Sequence, residues 1–153
     1  MSDDVIEPKH LVFPGLAGLY EKFAPFSYPF MRFATGAVLV PHGVVKFLHV
    51  PPEKFAENLI SQGFPMPLLL AYVVYITESV SAACVALGLF TRLAAAMVWI
   101  EMSVIMVVFL WPNGYFWTNR GIEFALLWWL LCIAIFFRGG GRYSLDRLLG
   151  REI

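Results

Sequence analysis

Glu78 and Glu101 are the residues of this chain whose setting most demands a chemical explanation. Glu78 is the only charge in a 25-residue apolar run from Met66 to Phe90, and Glu101 stands alone between Leu93 and Trp111. A carboxylate at mid-membrane depth costs about 2.5–3.5 kcal/mol on insertion scales, so such a group faces a bundle interior, finds a partner or takes up a proton. A third acid, Glu123, lies just inside the last apolar run, three residues after Arg120. On the first apolar run Arg32, Thr35, His42, Lys46 and His49 follow at steps of 3, 7, 4 and 3, which keep them on one helix face.

Helical rise, about 1.5 Å per residue, places these groups in depth. Glu78 falls about 18 Å from the outer end of its span and Glu101 roughly 12–15 Å from either end of its own. His42 and Lys46 fall in the outer half, and Arg32 near the inner surface. His42, Lys46, Glu78, Glu101, Arg120 and Glu123 are therefore the candidates for one site reaching from the midplane to the outer half. Three acids against two permanent cations leave His42, or a proton, to settle the charge. Such a set suits quinone chemistry. Lys46 or His42 would donate to a quinone carbonyl, Glu78 with Glu101 would relay protons, and Tyr75 and Trp99 would cover the ring.

Each residue also has a plainer reading. Arg120 and Glu123 suit an interfacial ion pair, Lys46 suits a snorkelling cation and His42 an interhelical hydrogen bonder. Arg32 reads as an inner-surface anchor and His49 as a headgroup-layer residue. Glu78 and Glu101 would then serve only to lock the bundle. Haem held by His42 and His49 is disfavoured, because two ligands two turns apart on one helix cannot approach opposite faces of one macrocycle. A metal on His42, Glu78 and Glu101 is chemically allowed, but no spacing selects one and none is expected. Cys84 and Cys132 each sit inside an apolar run with no CxxC pattern, and read as small core hydrophobes.

The elements that position these groups follow from composition. The chain has 153 residues, 59% hydrophobic and only 14% charged, against about 25% charged in a soluble domain. Formal charge is zero and no basic run occurs, so no nucleic-acid partner is indicated. Four apolar runs, at about 28–49, 66–90, 92–111 and 120–138, approach or exceed the roughly 20 residues a helix needs to cross a bilayer core. Their length and lack of alternation exclude barrel strands. The fold class expected is all-α, a four-transmembrane-helix bundle spanning residues 28–149. Residues 1–27 form a polar tail plus an interfacial amphipathic segment, because Pro14, Gly15, Gly18 and Pro25 break the apolar stretch 11–27. The polar N-terminus lacks the basic and apolar parts of a cleaved signal peptide. A short amphipathic helix is expected between the first two spans, carrying Phe55, Leu59, Ile60 and Phe64. Eight Lys and Arg residues flank one side and three the other, which predicts both termini in the cytoplasm.

Several of these stretches, in order, resemble the DoxX family of small four-helix bacterial membrane proteins. They are Arg32-Phe-Ala-Thr-Gly36, His42-Gly43-Val44-Val45-Lys46, Glu78, Leu87-Gly88-Leu89-Phe90-Thr91-Arg92, Asn113-Gly114-Tyr115-Phe116, Gly121-Ile122-Glu123 and Gly139-Gly140-Gly141-Arg142-Tyr143-Ser144-Leu145-Asp146. The resemblance covers about residues 26–149, and Glu101 falls on none of its motifs. It implies a bacterial inner-membrane protein linked to redox systems, since one related branch forms the membrane subunit of a thiosulfate:quinone oxidoreductase.

Three functions are then in view. One is a quinone-reactive subunit whose electrons come from a partner, because no flavin, haem or iron–sulfur motif is present. The second is a non-catalytic accessory subunit docked on a larger membrane complex. The third is a small proton or acid carrier.

Overall fold

A computed structural model describes residues 10–151, and within them the chain is helical with no strand. The polar tail expected at residues 1–10 lies almost wholly outside the described residues. Helix α1 covers Ala17–His49, 33 residues. The short α2 covers Pro52–Ser61. Helix α3 covers Pro67–Leu87 and α4 covers Thr91–Asn113; both are long and apolar enough to cross a membrane. Helix α5 covers Glu123–Arg138, and the four-residue α6, Leu145–Leu148, closes the described chain.

The four apolar runs fall in the four longest helices of the described residues, α1, α3, α4 and α5, of which α3 and α4, and α1 with α2 if that bent pair is one span, are long and apolar enough to cross a membrane. The stretch before Tyr28 is organised differently from the expectation. It is not a separate interfacial segment: the helix begins at Ala17 and runs on through Pro25, Pro29 and Pro41. A 33-residue helix is about 50 Å long, well beyond a hydrocarbon core of about 30 Å. Leu19, Tyr20 and Phe23 in its first turns are exposed.

The α1–α2 corner is dictated by proline. A residue before proline is pushed out of the α region, and Val50 is extended at φ −124°, ψ 110°. Pro51 and Pro52 follow, and α2 leaves at 107° to the axis of α1. The Tyr75 hydroxyl on α3 donates to the Val50 carbonyl at 3.0 Å and pins this corner. Helix α2 lies across the end of the bundle, where Ala56 and Leu59 pack against Ala71.

Helix α1 meets α3 along a seam of small residues, the usual device for close approach in membranes. A Cβ on Gly43 would sit 2.5 Å from the Ser79 amide nitrogen and 2.7 Å from the Glu78 carbonyl carbon. Gly36 lies equally hard against Ala82 and Ala86. The backbone of α3 bulges there into a π turn, Thr77–Ser81. Gly43→Ala should therefore push the helices apart and cost about 1–3 kcal/mol, measurable as an earlier midpoint in unfolding by dodecyl sulfate in mixed micelles. An unchanged midpoint would show that the seam yields freely.

Candidate functional site

Gly43 also fixes where Lys46 falls. One turn further along α1, on the same face, Lys46 reaches across the seam and its Nζ pairs with the Glu78 carboxylate. The same ammonium lies 5.5 Å from the centroid of the Phe55 ring on α2. Three elements thus converge on one cation, and Glu78 is held in the π turn that packs on Gly43.

Beyond this pair opens a cavity of about 710 Å³ between α2, α3 and α4. Lys46, Glu78 and Glu101 supply its ionisable groups, while Leu59, Ile105 and Phe109 are among its many apolar contributors. Glu101 is 9% exposed, and neither of its carboxylate oxygens has a hydrogen-bond partner. Glu101 lines the cavity with both oxygens themselves buried, and because buried polar groups are nearly always satisfied its carboxyl marks a place for a ligand or a water. A second π segment, Ile105–Leu110, lies one turn past Glu101 and contributes Ile105 and Phe109 to the wall. Such bulges inside α-helices recur at functional sites; here one contains Glu78 and the other follows Glu101.

The structure therefore brings together Lys46, Glu78 and Glu101, and leaves the other candidates elsewhere. His42 is exposed and lines no part of the cavity. The buried seam of α1 runs through Arg32, Gly36, Leu39 and Gly43; at about 100° per residue, His42 and His49 sit roughly 90–110° round from its centre. Five polar residues share a broad face, but the close-packed strip is narrower than that face.

Arg120 and Glu123 build a loop. Arg120 is left-handed at φ 60°, and its carbonyl accepts from Asn113 Nδ2 at 3.2 Å. Glu123 opens α5, and its Oε2 accepts from the Trp117 amide at 3.0 Å. An acid in a helix's first turn also sits favourably at the positive end of the helix dipole.

The two aromatics also miss the cavity. Tyr75 is fully buried beneath the α1–α2 corner, against Phe47 and Phe55. Trp99 faces α5, with ring centroids 6.1 Å from Trp129 and 6.0 Å from Phe136. Two residues from Glu101 on a helix, Trp99 must point about 200° away from it.

A second cluster at the opposite end was not anticipated as a unit. Asp146, 2% exposed, accepts from the Phe90 amide at 2.6 Å, the Thr91 amide at 2.9 Å and the Thr91 hydroxyl at 2.6 Å. It caps the first turn of α4. Arg32, 3% exposed, donates to the carbonyls of Val85 at 2.5 Å, Ala86 at 2.8 Å and Tyr143 at 2.8 Å. It caps the last turn of α3. Arg32 is thus a buried structural clamp as well as an anchor near the bilayer surface. The hairpin Leu87–Arg92 and the ending Ser144–Asp146 each stand out in the sequence, but nothing in a linear pattern says that they touch.

The DoxX family model matches residues 28–111. A protein of Haemophilus influenzae described as uncharacterized is 36% identical over 130 residues, covering 82% of this chain and 92% of its own length. An uncharacterized membrane protein of Mycobacterium tuberculosis is 28% identical over 150 residues, covering 91% of each chain. No solved structure matches.

Proposed function

The chain belongs to the DoxX family of membrane proteins, and from that footing we propose that it is a quinone-reactive subunit of a bacterial inner-membrane redox system. The observation that carries this reading is the cavity itself: a largely apolar volume of about 710 Å³ whose ionisable groups are Lys46, Glu78 and Glu101. Ligand pockets of this size are mostly apolar, with a few placed polar groups that orient the ligand.

The chemistry assigned to it balances as follows. A quinone takes two electrons from a reductant carried by a partner subunit and two protons through this chain, giving the quinol. Lys46, held by Glu78, donates a hydrogen bond to one carbonyl oxygen. With the two electrons from the partner, Glu101 delivers one proton to the second oxygen and Lys46 passes its own proton to the first, giving the quinol, and both groups are reprotonated from solvent, with Glu78 returning the proton to Lys46. Both termini lie in the cytoplasm, a reading supported by the eight-to-three distribution of Lys and Arg about the spans.

An accessory role without ligand chemistry leaves the unsatisfied Glu101 without a purpose. A proton or acid carrier needs alternating access, and a single four-helix bundle offers little means for it.

The test is quinone reduction by the purified native complex. Glu101→Gln removes the transferable proton and keeps the shape, so turnover should fall about a hundredfold, in the range of a lost general acid. Full turnover in that variant, or no quinone bound to the native complex, would overturn the reading.

A further inference from the structure

The cavity is bounded by the two helices most suited to crossing a bilayer, Pro67–Leu87 and Thr91–Asn113, and its lining reaches the outer face of both. Val73 on α3 and Ile100 and Val104 on α4 all line it, and all three are exposed, Ile100 to 63%. In a membrane, exposed apolar side chains at this depth face acyl chains. Through these exposed residues the cavity lining reaches the apolar outer surface of α3 and α4. At the polar end α2 and the chain just beyond it form the cover, with Leu59, Gln62 and Phe64 lining the cavity.

Inside, the three ionisable groups are not equivalent. Lys46 and Glu78 are committed to each other, and Lys46 additionally to Phe55. Glu101 alone has two unpartnered oxygens. An anionic head group would meet two acids and a cation already paired. A cationic head group would have to be stripped of water to pair in an apolar cavity, at a cost that often exceeds the attraction. A neutral head with a hydroxyl or carbonyl needs only a hydrogen bond, which a carboxyl in its acid form both gives and accepts.

We infer that Glu101 is the anchoring residue for an uncharged, hydrogen-bonding head group on an apolar tail, and that this amphiphile reaches the cavity sideways from the bilayer between α3 and α4. The inference deepens the quinone reading and rests on it for the identity of the cavity as a ligand site. It is broader in chemistry, since the anchor recognises a neutral head whether or not that head can be reduced.

The full chain in lipid nanodiscs is titrated separately with decylubiquinone, 4-nonylphenol, decylammonium and tail-less benzoquinone, and ligand-induced stabilisation reports binding. Decylubiquinone and 4-nonylphenol should both stabilise the protein. Glu101→Leu should weaken both about tenfold, the cost of one buried hydrogen bond, whereas Glu101→Gln should stay within about threefold. Benzoquinone should bind at least about tenfold more weakly for want of a tail. Ile100→Trp, which enlarges a lining residue at that outer surface without touching Glu101, should slow association of the tailed compounds. That variant carries the test if Glu101→Leu does not fold.

Wild-type binding of both tailed compounds by Glu101→Leu would overturn the inference while leaving the quinone reading standing. Tighter binding of decylammonium than of 4-nonylphenol would also overturn it. Glu101-dependent binding of 4-nonylphenol with no binding of decylubiquinone would sustain the anchor and sink the quinone reading.

Discussion

Replacing Asp146 with alanine is expected to destabilise the folded protein by about 3–5 kcal/mol, one of the largest losses available to a single substitution in this chain. Three donors end on its carboxylate, at 2.6, 2.9 and 2.6 Å. Two of them are the amides of Phe90 and Thr91, the N-cap and first residue of α4, which have no partner within the helix. Hydrogen bonds to a charged acceptor contribute about 1.5–3 kcal/mol each, and their loss here also leaves buried amides unsatisfied. The side chain thereby ties the C-terminal stretch to the α3–α4 hairpin, beside a backbone bond from the Asp146 amide to the Gly88 carbonyl at 2.8 Å that alanine would keep. Unfolding by dodecyl sulfate in mixed micelles measures the loss, with Ser144→Ala as the comparison. Ser144 caps the short α6 by accepting from the Arg147 amide at 3.2 Å, and its removal should cost only about 1 kcal/mol. Equal effects of the two substitutions would mean that the Asp146 cap is not what joins the tail to the hairpin.

The second large effect concerns the ion pair. Lys46→Met should cost about 3–5 kcal/mol, because it strands the Glu78 carboxylate in a buried position without its cation. The double variant Lys46→Met/Glu78→Leu should recover most of that loss, since well-packed apolar residues often replace a buried pair at little cost. A coupling energy well above 1 kcal/mol between the two positions is therefore expected in a double-mutant cycle. The double variant should fold and still fail in quinone reduction. If it is as unstable as Lys46→Met alone, the pair is not the source of the destabilisation. If it reduces quinone normally, the pair serves only to hold α1 against α3.

These experiments address groups that the sequence identified to very different extents. Glu78 and Glu101 were conspicuous because a carboxylate amid long apolar runs is costly anywhere except in an enclosed setting, and the structure encloses both. Lys46 was recognisable as a partner from its depth and the face it occupies. His42 and Lys46, four residues apart, looked equivalent by the same reasoning. What separates them is the line along which Gly36 and Gly43 let α1 touch α3, and that line depends on the partner helix. Trp99 and Tyr75 looked like ring-covering groups because their depth was right. Depth follows from chain position, whereas the direction a side chain faces is set by which neighbours pack there.

Sequence alone determined that the chain is helical, lies in a membrane, turns at Gly88 and beyond Arg138, and carries two acids that must be shielded. These follow from short-range properties: run length, local backbone preference and the cost of charge in hydrocarbon. Tertiary structure decided that Lys46 takes Glu78 and leaves Glu101 without a hydrogen-bond partner, that Arg120 and Glu123 hold the loop before α5, and that Arg32 and Asp146 clamp the far end. Those outcomes are contacts between residues up to 111 positions apart, as in the Arg32 bond to Tyr143. Such contacts depend on how whole helices dock, and no local spacing encodes that docking.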